Sequence, residues 1–311
     1  MRKKFRIGSR TSKLALIQAR IVRDSIIKFR GDLRKEDFEV VPIDTWGDWR
    51  PGQKEQTFLN MGANKGLFTK EIEEALISGA IDMAVHSMKD VPSEIPENLI
   101  FASIMKRGDP RDCFVSDKAA TLDALPAGSR VGSSSLRRQA QTLARRPDLR
   151  VVPFRGNVDT RLRKLAEGVV DATLLAVAGL ERMEKLDCAT SILDVQTMLP
   201  APGQGALGIQ IRRDDEETLR CAAPVNDEDT AQCVAAERAV LKELDGSCRA
   251  PVAALASITG DRLMLDALAA KPDGTLIVRI GREGPVSDAV ALGKDLGQEI
   301  KGRLPCGFFS S

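Results

Sequence analysis

Apolar positions along the chain follow two spacings, one typical of short buried strands and the other of amphipathic helices. Four segments begin with a strand-like run and continue with helical spacing, namely 5–29, 130–146, 149–166 and 172–185. A further strand is predicted at 38–43, and a helix from Thr69 to Ser78 precedes a buried strand at 81–85. Because strands that alternate with helices usually pair in parallel, the pattern predicts an α/β fold with mostly parallel strands covered by helices.

The pattern changes in the last third of the chain. A long helix is predicted over 229–244, followed by strand-like runs at 251–259, 263–269 and 275–280 and a closing helix from about Val286. These elements predict a small α+β unit at the C-terminus. The segment 46–65 lacks periodicity, is rich in Gly, Lys and Gln, and is long for a plain connection, which favours a mobile lid.

The composition excludes several classes of protein. The 311 residues are 43% hydrophobic and 29% charged, which is typical of a folded protein of two or three domains. No apolar run approaches the roughly 20 residues of a membrane helix, and the basic N-terminus turns polar at once, so we expect a cytoplasmic protein without membrane contact. His86 is the only histidine and the six cysteines form no C-x-x-C pair, so neither a metal site nor a disulfide framework is expected.

Positive charge is concentrated in one segment. Residues 130–164 contain nine arginines and one lysine against Asp148 and Asp159, a net charge of +8. The arginine fork suits carboxylates and phosphates, although for Arg145 and Arg146 a solvated helix face is the better interpretation. Because Phe154 is the only aromatic residue of the segment, a nucleic-acid partner is disfavoured and a small polyanion is expected.

Two turns of the chain resemble each other. The segments 7–12 and 131–135 each run from a strand end through hydroxyl-bearing residues into a helix N-terminus, where free N–H groups and the helix dipole attract anions. Ordinary helix capping explains either turn alone equally well. Each turn also carries arginine, Arg10 in the first and Arg137 with Arg138 in the second. The leading hypothesis is therefore two lobes that face one anion-binding cleft.

A polar run follows the buried strand predicted at 81–85. Lys89 and Asp90 in this run could form a surface ion pair of little consequence. At a strand end that faces arginines, however, Asp90 would stay ionised and could stabilise a cationic intermediate. Later strands are followed by further arginines, at Arg155, Arg161 and Arg182.

Several motifs stand in a fixed order along nearly the whole chain. They are HSMKDVP (86–92), GSSSLRRQAQ (132–141), RRPDL (145–149), RGNVDTRL (155–162), DATLLAVAGLER (171–182), PAPGQGALGI (200–209) and ERAVLKELDGSCRAP (237–251). In order and spacing they resemble the hydroxymethylbilane synthases, also called porphobilinogen deaminases. The sequence departs from that pattern at Met61, Asp245, Ser247 and Ala250.

The resemblance implies the fold and the domains. It implies an α/β protein with two lobes resembling type II periplasmic binding proteins, plus a small C-terminal α+β domain. Domain 1 would comprise 1–105 and 200–223, domain 2 would comprise 106–199, and domain 3 would comprise 224–311. A cytoplasmic monomer is implied as well.

The resemblance also implies the chemistry. Four porphobilinogen molecules would be deaminated and joined head to tail on a dipyrromethane cofactor, one per chain, held by a thioether to Cys248. Hydrolysis would then release linear hydroxymethylbilane for haem and porphyrin biosynthesis, with no metal required. Each pyrrole carries an acetate and a propionate, which accounts for the excess of arginine.

By the same resemblance, each candidate residue has a role. Asp90 would be the catalytic carboxylate, which stabilises positive charge on the pyrroles. The cofactor would be bound by Lys89, Asp90, Ser133, Ser134, Ser135, Arg137, Arg138 and Arg161. The substrate would be bound by Arg10, Ser12, Lys65, Ser87, Arg155, Arg161, Arg182 and Gln204.

One alternative from another class stays open. A two-lobed protein could capture a small anion by domain closure without any chemistry. This reading predicts a secretion signal, which the N-terminal pattern does not resemble, and it gives Cys248 no role.

Overall fold

The computed structural model describes residues 4–45, 69–244, 251–305 and 308. The predicted lid at 46–65 lies outside these residues, as does Cys248. The described chain forms two compact units, the first of 4–45, 69–108 and 206–231 and the second of 109–205 with 232–305. The division into three domains stays a prediction.

Strands and helices alternate over most of the described chain. The strands are β1 (Phe5–Arg10), β2 (Phe38–Ile43), β3 (Met83–Ser87), β4 (Leu99–Ile104), β5 (Asp112–Val115), β6 (Arg130–Gly132), β7 (Arg150–Val152), β8 (Ala172–Ala176), β9 (Ser191–Ile192), β10 (Leu207–Arg212), β11 (Val252–Thr259), β12 (Arg262–Ala270) and β13 (Ile277–Pro285). The helices are α1 (Lys13–Arg30), α2 (Lys70–Ile77), α3 (Leu136–Arg145), α4 (Val158–Ala166), α5 (Val177–Arg182), α6 (Glu216–Ala222), α7 (Glu228–Glu243) and α8 (Ala289–Arg303).

The first unit is built on a mixed sheet with the strand order β2-β1-β3-β10-β4. Strand β1 pairs in parallel with β2 and β3, whereas β10 runs antiparallel to both β3 and β4. Helix α1 buries Val22 and Ile26 on one face of the sheet, and α2 buries Ile72 and Leu76 against Ile81 and Ala84. Each pair is spaced by four residues, which places its members on one stripe of a helix.

The second unit contains a sheet with the equivalent order β7-β6-β8-β5-β9. Here β6 pairs in parallel with β7 and β8, and β5 is the antiparallel strand, paired with β8 and β9. Phe114 and Val131 are fully buried in its core. The chain therefore returns from the second sheet to the first, because β10 follows β9 in sequence but lies between β3 and β4.

The C-terminal part of the second unit is an antiparallel sheet, β11-β12-β13, against which α7 and α8 pack. Val240 of α7 and Leu296 of α8 are fully buried there with Leu263 of β12. Helix α8 approaches α7 closely at Gly293, where a Cβ atom would lie 2.8 Å from the Cβ atom of Ala239. A glycine is needed at this crossing because any side chain would push the helices apart.

The predicted fold class is confirmed: the chain is α/β, with two sheet-containing lobes and a small C-terminal α+β part. The expectation of mostly parallel strands was only half right, because β5 and β10 run antiparallel inside their sheets. Strands β4, β5, β9 and β10 and helix α6 were not predicted. Strand β3 begins and ends two residues later than expected, so that His86 and Ser87 belong to the strand.

Candidate functional site

The first unit gathers five of the predicted site residues near the ends of β1 and β3. Arg10 is the last residue of β1 and Ser87 the last residue of β3, and Lys89 and Asp90 lie in the 3₁₀ turn that follows. Ser12 is the N-cap of α1. Because β1 and β3 are parallel, their carboxyl ends lie at the same edge of the sheet.

Arg10 and Asp90 lie within ion-pair distance. A terminal guanidinium nitrogen of Arg10 is 4.0 Å from a carboxylate oxygen of Asp90, and the two side chains are 25% and 38% exposed. A pair of this length and exposure contributes about 0–1 kcal/mol, so it does little to hold Asp90 in place. The carboxylate of Asp90 is therefore half-exposed, next to a cation, at a strand end.

Backbone and hydroxyl contacts fix the segments that carry these groups. The backbone N–H of Met88 donates to the carbonyl of Ala206 over 3.0 Å, which ties the turn to the start of β10. The amide nitrogen of Gln18 donates to the hydroxyl of Ser87 over 3.0 Å, and the hydroxyl of Ser12 caps α1 by accepting from the N–H of Ala15. Both hydroxyls are thus engaged with α1.

A buried charge cluster lies beneath the start of α3 in the second unit. Asp112, fully buried on β5, accepts from Arg138 over 2.6 Å, and its other oxygen lies 2.7 Å from a terminal nitrogen of Arg137. Arg138 also donates to the carbonyl of Leu174 over 2.8 Å. Both arginines are almost completely buried. The sequence pattern predicted correctly that they lie at the start of a helix, but it did not predict Asp112 as their acidic partner.

The cluster has a surplus of positive charge. Burial disfavours the charged form of Asp112, yet the two guanidinium groups outweigh it and hold the pKa of that carboxyl well below its usual range. Burial lowers the pKa of Arg137. Two guanidinium groups face one carboxylate, and the buried Nε of Arg137 has no hydrogen-bond partner within the described part of the chain. Such a cluster fits a further carboxylate.

The serine turn between β6 and α3 is held from several sides. The hydroxyl of Ser134 accepts from the N–H of Phe154 over 2.9 Å, and that of Ser135 accepts from the N–H of Arg138 as the N-cap of α3. Ser133 is buried, and its hydroxyl accepts from the N–H of Ser135 over 3.2 Å. The turn is therefore fixed at the carboxyl end of β6.

The other predicted residues of the second unit follow β7 and β8 or join the cluster. Arg161 donates to the carbonyl of Gly156 over 2.9 Å, and Arg182 donates to that of Gly205 over 2.6 Å. Burial lowers the pKa of Arg182. Gln204 is buried and donates to the carbonyl of Pro110 and, over 3.0 Å, to Asp112. Arg155 lies three residues beyond β7.

Two predicted site residues, Lys65 and Cys248, lie outside the described residues, as do Met61, Asp245, Ser247 and Ala250. Helix α7 ends at Glu243 and β11 begins at Val252, so these two elements bracket the segment that carries Cys248. Within the described ranges no three His, Cys, Asp or Glu side chains are arranged to hold a metal ion. Nor does any helix described there have the length and apolarity to cross a membrane.

Two family models match the chain. One, described as "Porphobilinogen deaminase, dipyromethane cofactor binding domain", matches residues 5–220. The other, described as "Porphobilinogen deaminase, C-terminal domain", matches residues 231–302.

Curated relatives match over nearly the full length. The porphobilinogen deaminase of Paracoccus denitrificans (strain Pd 1222) is 48% identical over 308 residues, 98% of this chain and 96% of the relative. The chloroplastic porphobilinogen deaminase of Oryza sativa subsp. japonica is 48% identical over 99% of this chain and 86% of its own. A solved structure, the methionine binding protein MetQ, aligns with 76% of this chain and 94% of its own at 14% identity and a TM-score of 0.46.

Proposed function

Because the chain belongs to the porphobilinogen deaminase family, a family of tetrapyrrole biosynthesis enzymes, we propose that it joins four porphobilinogen molecules head to tail and releases linear hydroxymethylbilane by hydrolysis. Residues 5–220 match the family's dipyrromethane-binding domain. When bound, the dipyrromethane supplies a free pyrrole α-carbon as the nucleophile toward the deaminated substrate. Ammonia leaves in each addition, and hydrolysis by water releases the product after the fourth addition.

The observation that carries the proposal is the half-exposed carboxylate of Asp90 beside Arg10, at the carboxyl ends of β1 and β3. Loss of ammonia from a pyrrole leaves positive charge near the ring nitrogen, and a carboxylate within reach stabilises that charge. Asp90 would accept and return the pyrrole proton, and Arg10 would hold a substrate carboxylate beside it.

The Asp112 cluster supports binding of the dipyrromethane carboxylates by the second unit. Arg137 and Arg138 share one buried carboxylate, and the Nε of Arg137, which has no hydrogen-bond partner among the described residues, leaves a donor for another. Ser133, Ser134 and Ser135 would add hydroxyl and backbone donors at the N-terminus of α3. By the family resemblance, Lys89 and Asp90 would also bind the dipyrromethane, which a thioether to Cys248 would hold.

Arginines that follow β7 and β8 would bind the incoming substrate. Arg155 follows β7, Arg161 lies near the start of α4 and Arg182 is the last residue of α5, and their charges suit acetate and propionate groups. Ser12, Ser87 and Lys65 would complete this set. Gln204 would act through Asp112, because the hydrogen bonds of its amide nitrogen go to Asp112 and the Pro110 carbonyl.

We further propose that the protein is a cytoplasmic monomer that binds neither nucleic acid nor membranes and has the three domains 1–105 with 200–223, 106–199 and 224–311. The small formal charge of +2 supports the absence of a nucleic-acid partner. Light scattering coupled to size-exclusion chromatography should give the mass of one chain, whereas twice that mass would exclude the monomer.

The intact mass of the purified protein after incubation with porphobilinogen tests the activity. We expect a covalent adduct of two pyrroles on the resting enzyme, further increments of one pyrrole during turnover, and a modified peptide that contains Cys248. The variant Cys248→Ser should carry no adduct. Cys188→Ser is the matched control, because Cys188 is an exposed free thiol in the described chain and should not affect loading.

An unmodified wild-type chain that nevertheless binds porphobilinogen would contradict the proposal. The protein would then be a two-lobed binder of small anions. An adduct on Cys188 in place of Cys248 would refute the assigned attachment site while leaving the activity intact.

A further inference from the structure

A row of polar side chains crosses the buried side of the first sheet under α2. Glu73 lies on α2, Gln210 on β10 and His86 on β3. The Nε2 atom of His86 is 2.9 Å from Oε1 of Gln210, and Nε2 of Gln210 donates to Oε1 of Glu73 over 3.2 Å. Gln210 is fully buried and His86 is 6% exposed, so the hydrogen bond between them is shielded from water.

The row has a direction. An ionised carboxylate only accepts hydrogen bonds, so Glu73 turns the NH₂ group of Gln210 toward itself and the amide oxygen toward His86. An amide oxygen also only accepts, so the imidazole must carry its hydrogen on Nε2. The charge of Glu73 thus selects the tautomer of a ring with which it shares no hydrogen bond.

Packing fixes the ring as well. The rings of His86 and Phe101 meet edge to face with 6.3 Å between their centroids. In the β3–β10 ladder His86 lies opposite Gly208, where a Cβ atom would come within 2.9 Å of the Phe101 ring. Burial raises the pKa of Glu73, and the hydrogen bond from Gln210 acts against that shift.

The row ends directly before the candidate catalytic turn. Ser87 is the next residue, bonded to Gln18 of α1, and Asp90 follows three positions later. We propose that the row of Glu73, Gln210 and His86 fixes the end of β3 through the Nε2–H tautomer of His86 and thereby positions Asp90. The inference rests on the proposed function, and the three are positioning residues since none of them has to touch the substrate.

The composition of the chain makes the tautomer directly measurable. His86 is the only histidine, so a protein labelled with ¹⁵N-histidine and freed of any histidine tag gives the signals of a single imidazole. Long-range ¹H–¹⁵N correlation spectra distinguish the two neutral tautomers. In the wild-type holoenzyme we expect the Nε2–H form at neutral pH.

Three variants disturb the row, two by removing a hydrogen-bonding group and one by removing the charge of Glu73. Gln210→Leu should yield a mixture of tautomers and lower kcat about tenfold, with KM within about twofold, because a small misplacement of a catalytic group slows the chemical step more than it weakens binding. Glu73→Leu, at the half-buried end of the row, should also yield a mixture of tautomers and a lower kcat. This variant replaces Gln210→Leu as the test if Gln210→Leu does not fold. Glu73→Gln should also give a mixture of tautomers and a lower kcat, because a glutamine side chain can donate as well as accept and no longer fixes the direction of the Gln210 amide.

Ile211→Val is the matched control, since Ile211 is fully buried on β10 in the hydrophobic cluster with Val22 and Ile26. It should lower stability without changing the tautomer or kcat. An Nδ1–H tautomer in the wild-type protein would overturn the proposal, as would an unchanged kcat in a folded Gln210→Leu protein. A wild-type enzyme without any turnover would instead defeat the proposed function, and the positioning role with it.

Discussion

Removing the charge of Asp112 should destabilise the protein strongly. Three donors converge on this carboxylate, from Arg138 over 2.6 Å, Arg137 over 2.7 Å and Gln204 over 3.0 Å. In Asp112→Asn an NH₂ group replaces one carboxylate oxygen, so a donor faces a donor and two guanidinium groups stay buried without a counter-charge. Breaking a buried ion pair in this way typically costs about 3–5 kcal/mol. Because whole domains are stable by about 5–15 kcal/mol, urea unfolding followed by circular dichroism should show the loss clearly.

Asp123→Asn provides a control at an exposed ion pair. Asp123 pairs with Arg145 over 2.6 Å, the same distance as between Asp112 and Arg138, but its side chain is 53% exposed. Surface pairs of this kind contribute about 0–1 kcal/mol, so this variant should unfold at nearly the wild-type urea concentration. Equal and small effects in the two variants would refute the assignment of Asp112 as the buried counter-charge.

The stability that Asp112 contributes should decrease as the pH falls. The folded protein holds the pKa of Asp112 below the ordinary value of 3.8, so the carboxylate contributes its full stability above that value. The contribution is lost as the pH falls through the folded-state pKa. The stability difference between wild type and Asp112→Asn should therefore be constant at neutral pH and shrink below about pH 4. A difference that grows on acidification would contradict this sign.

Further predictions concern catalysis and packing. Asp90→Ala should keep its fold, because the removed carboxylate is half-exposed. It should also keep its dipyrromethane but lose turnover in a product assay, and ordinary rates would exclude Asp90 from the mechanism. Arg155→Ala should accumulate enzyme-bound intermediates in intact mass spectra, whereas Arg163→Ala, on an exposed pair with Glu167, should not. Gly274→Ala should lower the melting temperature more than Gly260→Ala. Both positions have positive φ, worth about 1–2 kcal/mol of strain, but only at Gly274 would a Cβ atom also strike α3, 2.8 Å from the carbonyl oxygen of Ala140.

The elements that the sequence could not predict share a physical cause. Strand β10 is buried on both faces, as is β5, so neither shows the alternation of apolar and polar residues that marks a half-buried strand. Their partners also lie far away in sequence, since Gln210 pairs with Ala84. Helix α1, with apolar residues on one stripe, a serine N-cap and Gly31 after its last turn, was predicted almost to its ends.

The candidate site shows the same limit. The strand–turn–helix pattern was sufficient to predict that Ser133, Ser134 and Ser135 follow a strand end and begin a helix, and the structure has them there. Motif resemblance assigned Asp90 its role, which geometry alone leaves open. Asp112 was not predicted as a site residue because it lies 25 residues before Arg137 on an antiparallel strand, where nothing in the local sequence marks it as buried.

The charge of the Asp112 cluster explains why two consecutive arginines can both point inward. Neighbouring residues of a helix project about 100° apart, so Arg137 and Arg138 cannot reach the same atom from the same side. They reach Asp112 by different oxygens, and Arg138 continues to the carbonyl of Leu174 while Arg137 continues to that of Leu199. One carboxylate thus orders both guanidinium groups but neutralises only one. A fully neutral cluster would have no electrostatic reason to bind an anion, and an unpaired one would be too costly to bury. A single acid beneath two arginines satisfies both requirements and leaves the cluster with one net positive charge.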